Sequence, residues 1–172
     1  MIDFQFYPTP SFLRIKAWSL FKNRDFVRVL EPSAGEGDLL VREIDEVAQE
    51  LGSHSYVLDG VEMMSGRKRY NYTRMLNDID TIEIDISKHA ILREKGFNVI
   101  GIDFLKFESG CMFSHVIMNP PFSQGAEHVL HAWDITYSAE IVAILNAETI
   151  RNPHTKERQR LCDLIEEHGS VM

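Results

Sequence analysis

Apolar runs with a two-residue period alternate along this chain with stretches of helical period. The strand-like runs occupy residues 26–31, 81–85, 97–105, 115–118 and 140–145, and turn-forming residues bound them. Helical patterns cover residues 12–21, 38–51, 87–96, 126–137 and 154–167. Strands that alternate with helices predict an α/β fold with a doubly wound, mostly parallel sheet flanked by helices. In such a sheet, ligands bind at the carboxyl ends of the strands.

Helix ends and the less regular stretches give further expectations. Ser11 or Thr9 is expected to cap the first helix, and Ser87 the short helix that Gly96 closes. Residues 56–62 have the composition of one additional strand. Residues 170–172, after the last helix, resemble the first residues of another strand.

Composition and charge limit the class of protein. The chain has 172 residues, of which 44% are hydrophobic and 26% charged, which is typical of a single globular domain spanning residues 1–172. Cys111 and Cys162 lie far apart, and neither a signal peptide nor a run of membrane-spanning length is present. We therefore expect reduced thiols and a cytoplasmic location, with no membrane partner.

The net charge of −8 has the wrong sign for a protein that binds nucleic acid over its whole surface. Contact with nucleic acid would have to be local. Residues 67–74 form a basic cluster with interleaved aromatic residues. Such a cluster can contact phosphates, although a solvated face is the more common role.

A turn of small residues follows the first predicted strand, with the sequence Pro32-Ser33-Ala34-Gly35-Glu36-Gly37-Asp38. Small residues let a ligand approach the backbone, and a helix start offers free N–H groups. The spacing does not match a phosphate loop, which ends in Gly-Lys-Ser/Thr. Glu31 and Asp38 place negative charge at this turn, so a cationic ligand is favoured over a dinucleotide phosphate.

Acidic residues also end the next two predicted strands. A carboxylate at the end of the second strand commonly holds a ribose diol. Glu83 and Asp85 would point to opposite faces of a strand, and we assign the ribose to Glu83. Asp103 can accept a hydrogen bond from an adenine amino group, with Phe104 against the ring edge. Asp103 alternatively only caps a turn.

The segment Asn119-Pro120-Pro121-Phe122 directly follows the apolar strand at residues 115–118. Two prolines stiffen the chain and remove two backbone donors. The Asn119 side-chain oxygen and the Pro120 carbonyl can both accept from one –NH₂ group, and Phe122 offers a stacking surface. Two prolines can also serve only to end a strand.

Two other features have competing interpretations. His128 and His131 are three residues apart on a predicted helix beside Glu127. They could face a metal, but no further ligand is close in sequence, so we predict a helix-surface pair and no metal. At the beginning of the chain, Phe6 and Tyr7 belong to a rigid aromatic segment that could simply cover the edge of the domain.

These motifs together resemble S-adenosylmethionine-dependent methyltransferases of the amino-group type, especially N6-adenine DNA methyltransferases of phage or mobile-element origin. Residues 30–37, Leu-Glu-Pro-Ser-Ala-Gly-Glu-Gly, resemble the first cofactor motif of that family, and residues 119–122 its catalytic motif. Residues 7–10, Tyr-Pro-Thr-Pro, are similar to an aromatic-Thr-Pro motif that closes over the methionine part of the cofactor. Glu83 and the pair Asp103-Phe104 match the ribose and adenine positions.

The resemblance implies an enzyme that transfers a methyl group from S-adenosylmethionine to an exocyclic amine, above all N6 of adenine in DNA. Its implied catalytic residues are Asn119, Pro120, Pro121 and Phe122. Its implied cofactor-binding residues are Tyr7, Thr9, Pro10, Glu31, Pro32, Ser33, Ala34, Gly35, Gly37, Asp38, Glu83, Ile84, Asp103, Phe104 and Asn119.

The resemblance also leaves alternatives open. Glutamine in a protein, or a base in RNA, would present a similar amine, and a cofactor-binding fragment without activity is a further alternative. Related enzymes continue into two more strands, which this chain is expected to lack. The fifth strand would then be an apolar edge, through which the chain could form a homo-oligomer.

Overall fold

The computed structural model describes residues 8–23, 26–40, 79–109 and 112–172, together with the backbone of two short strands at 56–58 and 61–63. The strands are β1 (Val29–Glu31), β2 (Tyr56–Leu58), β3 (Val61–Met63), β4 (Ile79–Ile82), β5 (Asn98–Gly101), β6 (His115–Met118) and β7 (Glu140–Ala143). The helices are α1 (Ser11–Ser19), α2 (His89–Glu94), α3 (Gly125–Ile135), α4 (Glu148–Arg151) and α5 (Lys156–His168). None of these helices has the length and apolar character needed to cross a bilayer.

Five parallel strands form the main sheet, in the order β5-β4-β1-β6-β7. The chain starts in the centre with β1, moves outward to β4 and β5, and then crosses to β6 and β7 on the other side. The order reverses between β1 and β6, and this is the point at which open α/β sheets bind ligands. The predicted α/β fold with a mostly parallel, helix-flanked sheet is confirmed.

Side-chain alternation along the strands builds two cores, one on each face of the sheet. Val29 and Ile117 face a core that α1 and α2 complete, with Trp18, Phe21 and Leu92. The neighbouring residues Leu30, Val116 and Met118 face a second core, completed by α3, by Leu161 of α5 and by Phe104. Because successive residues of a strand point to opposite faces, a continuous apolar strand such as β6 must be covered on both sides.

Several predicted boundaries are wrong near β4. The second strand of the sheet runs from Ile79 to Ile82 and ends before Glu83. The sequence pattern missed the start of this strand because it contains Asp80, and a buried carboxylate is rare in a strand. Asp80 is satisfied by Arg28 Nε and by Asn98 Nδ2, both at 2.6 Å. Asp85, and not Ser87, caps the next turn, because its side chain accepts from Ser87 N.

Other elements also differ from the sequence pattern. β5 ends at Gly101, and a single 3-10 turn, Phe104–Lys106, follows it. Neither Ser11 nor Thr9 caps α1; Pro10 precedes the helix, and its carbonyl accepts from the N–H groups of Leu13 and Arg14. One strand is predicted over residues 56–62, whereas Tyr56–Leu58 and Val61–Met63 are two strands that pair antiparallel. The intervening Asp59-Gly60 is a typical hairpin dipeptide in sequence.

The carboxyl-terminal part begins with β7, which forms one edge of the sheet. The helix expected from residue 154 is α5, which begins at Lys156 after a Thr155 cap that accepts from Arg158 N, and Gly169 follows its end as expected. The predicted strand at residues 170–172 is wrong, since these residues are exposed and have no regular secondary structure. Self-association through β7 stays a prediction.

The helix predicted through Leu51, the basic cluster at 67–74 and Tyr7 lie outside the described residues.

Candidate functional site

A cleft of about 620 Å³ opens at the carboxyl ends of the strands. It is lined by residues from the segments that follow β1, β4, β5 and β6, together with the segment before α1. Twelve of the residues proposed from the sequence line it: Thr9, Pro32, Ser33, Ala34, Gly35, Asp38, Glu83, Ile84, Asp103, Phe104, Asn119 and Pro121. Segments that are distant in sequence meet here because parallel strands end at the same edge of the sheet.

Glu83 ties the turn after β1 to the turn after β4. Its Oε2 accepts from Gly35 N at 2.6 Å, and its Oε1 accepts from Asp85 N at 2.8 Å. Gly35 has φ +56°, which places its N–H in this position at low cost. A carboxylate has about four lone-pair sites. Glu83, although only 6% exposed, therefore keeps capacity to accept from a ligand hydroxyl in the cleft.

Gly37 does not line the cleft but fixes the path of the same turn. It has φ +83°, and a Cβ at this position would lie 2.9 Å from the Phe97 ring. Both the backbone conformation and the space exclude a side chain. The second glycine of the turn thus acts through packing, whereas Gly35 acts through its N–H group.

Glu31, the last residue of β1, is fully buried. Neither of its carboxyl oxygens has a hydrogen bond of ordinary geometry within the described residues. Burial raises its pKa well above the usual value, and the negative charge of Glu83 raises the pKa further; the N–H groups of Ser33 and Asn119 oppose this rise without cancelling it. Glu31 does not itself line the cleft, although its chain neighbour Pro32 does.

The raised pKa of Glu31 makes the stability of the protein depend on pH. The folded protein holds this proton to a higher pH than the unfolded chain, whose glutamate ionises near pH ~4.3. The free energy of unfolding should therefore fall as pH rises between those two pKa values, by up to about 1.4 kcal/mol per pH unit. We expect Glu31→Gln to remove this slope, as measured by urea unfolding of the ligand-free protein between pH 4 and pH 8.

A matched control for this experiment is Glu166→Gln, which changes an exposed carboxylate of α5. That variant should keep the slope of the unmodified protein. An unchanged slope in Glu31→Gln would show that the Glu31 carboxyl is not held neutral by the fold.

Asp103 both caps a turn and lines the cleft, so the two interpretations of this residue are compatible. Its Oδ1 accepts from Leu105 N at 3.2 Å, and its Oδ2 lies 2.8 Å from the Lys106 ammonium. The hydrogen bond from Lys106 holds the pKa of Asp103 below its usual value. Asp103 is therefore an ionised acceptor at neutral pH.

The side chain of Asn119 is oriented from a distant part of the chain. Its Nδ2 donates to Thr9 Oγ1 at 3.1 Å, which leaves the amide oxygen Oδ1 as its acceptor. Pro120 is buried, whereas Phe122 is 38% exposed and begins a short 3-10 turn, Phe122–Gln124. The loop therefore presents an acceptor at its base and an aromatic ring at its rim.

The structure separates some proposed residues from the cleft. Those that do not line it are Pro10, Glu31, Gly37, Pro120 and Phe122, and Tyr7 lies outside the described residues. The cleft also includes residues that the sequence did not single out, among them Lys88, Gln124 and Ser123. No local pattern marks these residues, because they reach the cleft only through strand order.

The interpretation of His128 and His131 as a surface pair is wrong for His128, which is only 7% exposed and lines the cleft. One ring nitrogen of each histidine is hydrogen-bonded to a backbone carbonyl oxygen. His128 Nδ1 lies 3.0 Å from the oxygen of Gln124, and His131 Nε2 lies 2.8 Å from that of Phe107. Within the described residues, no group of three or more His, Cys, Asp or Glu side chains is arranged to hold a metal.

Comparisons with known proteins identify the fold. No protein-family profile matches the chain, and no curated protein matches it in sequence. Among solved structures, the methyltransferase subunit of a type I restriction-modification system from Streptococcus thermophilus is similar with a TM-score of 0.58 and 14% identity, over 97% of this chain and 40% of that one. An O-methyltransferase from Bacillus cereus, crystallised with SAH, is similar with a TM-score of 0.50 and 14% identity, over 96% of this chain and 71% of that one.

These likenesses define the class of fold. The chain has the α/β fold of these methyltransferases, with a five-stranded parallel sheet between two helical layers. It spans 40% of the length of the restriction-modification subunit.

Proposed function

We propose that this chain is an S-adenosylmethionine-dependent methyltransferase acting on an exocyclic amino group, most specifically N6 of adenine in DNA. One observation carries the proposal: Asn119 after β6 and Glu83 after β4 line a single cleft of about 620 Å³. The first side chain suits an acceptor amine, and the second suits the ribose of a nucleoside cofactor.

The residues of the cleft fit the proposed cofactor. Ser33 Oγ, a buried polar atom of a residue that lines the cleft, has no hydrogen-bond partner within the described residues. The Asp38 carboxylate, which lines the cleft at this turn, suits a ligand with a positive charge. We assign the ribose hydroxyls to Glu83, the adenine to Asp103, Phe104 and Ile84, and the methionine part to the segment from Thr9 and to residues 32–38. When bound, S-adenosylmethionine supplies an electrophilic methyl group on a sulfonium.

The catalytic loop is proposed to prepare the acceptor nitrogen. Asn119 Oδ1 and the Pro120 carbonyl each accept one hydrogen of the acceptor –NH₂ group. An adenine amine is a poor nucleophile because its lone pair is delocalised into the ring. Two acceptors that bind its hydrogens more strongly as the nitrogen becomes tetrahedral would lower the barrier to reaction. Thr9 keeps the Asn119 amide in the required orientation through Nδ2.

The choice of adenine in DNA has two supports. The likeness to a methyltransferase subunit of a restriction-modification system supports a nucleic-acid acceptor, and the exposed ring of Phe122 offers a surface on which a flipped base can stack. The net charge of −8 limits any nucleic-acid contact to a local surface.

Transfer of a labelled methyl group tests the proposal directly. The chain is incubated with labelled S-adenosylmethionine and with DNA, single-stranded RNA or a protein carrying an exposed glutamine. Label in DNA as N6-methyladenine supports the full proposal, whereas label only in RNA or protein overturns the DNA assignment. Binding of S-adenosylmethionine without transfer to any acceptor would mean that the chain is a cofactor-binding fragment.

Phe122→Ala should mainly weaken acceptor binding. Loss of a stacking surface costs about 1–3 kcal/mol per base, so KM for DNA should rise roughly tenfold to a hundredfold while kcat changes much less. Steady-state kinetics with varied DNA concentration measure the two effects separately. Phe122→Tyr keeps the aromatic surface and should behave like the original chain. A loss in kcat that persists at saturating DNA would instead place Phe122 in the chemical step.

A further inference from the structure

His128 lies on α3, the helix directly after the Asn119 loop, and it has no role in the function proposed so far. Its side chain is more than nine-tenths buried, at 7% exposure, yet it lines the cleft together with Asp103 and Phe104. A buried imidazole at a ligand cleft requires an explanation, because burying a polar ring is unfavourable unless its nitrogens are used.

The tautomer of His128 follows from its surroundings. Its Nδ1 lies 3.0 Å from the carbonyl oxygen of Gln124. A carbonyl can only accept a hydrogen bond, so Nδ1 carries the hydrogen and Nε2 keeps its lone pair in the neutral ring. No described residue is hydrogen-bonded to Nε2. Burial lowers the pKa of His128, so the ring is neutral at pH 7.

The ring also packs against Phe104, one of the residues to which the adenine is assigned above. Its centroid lies 5.6 Å from that of Phe104 with an interplanar angle of 39°, and His131 packs edge-on against the same ring at 4.9 Å. Asp103 is close enough for its charge to raise the pKa of His128, against the larger effect of burial. Two acceptor residues, Asp103 and His128, therefore line the same cleft as Phe104.

We propose that His128 determines specificity for the adenine of the cofactor, with its Nε2 accepting one hydrogen of the adenine amino group while Asp103 accepts the other. This inference rests on the proposed S-adenosylmethionine site and adds a residue to it. An amino group has two hydrogens to donate, and two acceptors satisfy both. A ligand with a carbonyl at the same position would face two acceptors and have no hydrogen to donate to them. Sites built to hydrogen-bond a ligand NH strongly reject analogues that lack it.

A binding comparison with a deaminated ligand tests this proposal. S-adenosylhomocysteine and S-inosylhomocysteine differ at position 6, where the amino group becomes a carbonyl, and at ring N1, which gains a hydrogen. Titration calorimetry gives the ratio of their dissociation constants for each variant. The N1 difference is common to all variants, so a change in the ratio reports on the contact to position 6.

His128→Phe keeps a ring against Phe104 but removes the acceptor. We expect its affinity for S-adenosylhomocysteine to fall roughly tenfold, and its affinity for S-inosylhomocysteine to stay constant or increase. The discrimination ratio should therefore shrink by about tenfold or more. His131→Phe is the matched control, because His131 lies on the same helix and packs on the same ring but does not line the cleft. It should leave the ratio unchanged.

Acidification provides a second readout. Protonation would convert Nε2 into a donor. S-adenosylhomocysteine affinity should therefore fall as the pH decreases through the lowered pKa of His128, and it should fall less in His128→Phe. The charged and titratable groups that influence the ring are Glu127 and His131 on α3 and Asp103, which also lines the cleft. All of them remain in the Phe variant, so the difference between the two proteins isolates His128.

The outcomes separate this proposal from the proposed function. Equal weakening of both ligands by His128→Phe would overturn the proposal, since it would mean that His128 only supports Phe104. An equal shift in His131→Phe would overturn it in the same way. If the original chain binds S-adenosylhomocysteine but discriminates poorly against the inosine ligand, the cofactor site stands and the role of His128 is wrong. If it binds neither ligand, both are wrong.

Discussion

Asn119→Ala is expected to remove methyl transfer by at least about a hundredfold while leaving the cofactor dissociation constant within about threefold. In the proposed mechanism, the Asn119 amide oxygen binds the acceptor amine most strongly as the nitrogen changes geometry. A contact of this kind contributes to the transition state more than to the ground state. Single-turnover methylation of DNA measures the first quantity, and calorimetric titration measures the second.

Variants of Thr9 control for the orientation of Asn119. Thr9→Val removes the oxygen that accepts from Asn119 Nδ2, so the amide can rotate and transfer should fall by about tenfold. Thr9→Ser keeps the oxygen and should retain most of the activity. Transfer by Asn119→Ala at the original rate would overturn the proposed role of this loop.

Glu83→Ala is expected to have the largest effect on cofactor binding. Part of the effect is direct, since a hydrogen bond between a charged group and a hydroxyl contributes about 1.5–3 kcal/mol. A second part comes from the fold: Glu83 accepts from Gly35 N and Asp85 N, so its removal leaves two backbone donors without partners and loosens both turns of the cleft. We expect binding to weaken roughly a hundredfold or more, with a Tm lower by several degrees.

Two further variants separate these contributions. Glu83→Gln keeps an oxygen acceptor for one backbone N–H group. Its Tm should therefore decrease less than that of Glu83→Ala, while cofactor binding stays weak. Glu62→Ala removes an acidic residue of β3, which in the described part of the chain pairs with β2 and lies outside the five-stranded sheet. This variant should leave cofactor binding unchanged. If Glu83→Ala binds the cofactor strongly and Glu62→Ala binds it weakly, the assignment of the ribose to Glu83 is wrong.

The sequence predicted the fold class because the relevant signals are local. A strand with alternating burial and a helix with one apolar face can each be recognised from ten or so neighbouring residues. Acidic or amide residues at the strand ends then indicated where the cleft would form, since parallel strands place their carboxyl ends together. Boundaries failed where a polar residue was satisfied by a distant partner, as with Asp80, which pairs with Arg28 and Asn98.

The chain sequence by itself therefore determined the α/β fold and the edge of the sheet at which Asn119, Glu83 and Asp103 meet. Only the tertiary structure decided how these residues are arranged: that Thr9 Oγ1 accepts from Asn119 Nδ2 over a separation of 110 residues, that Glu31 is fully buried at the end of β1, and that His128 lines the cleft. The physical reason is that hydrophobic periodicity specifies which face of an element is buried, whereas strand order, which depends on contacts between distant segments, decides what that face is buried against.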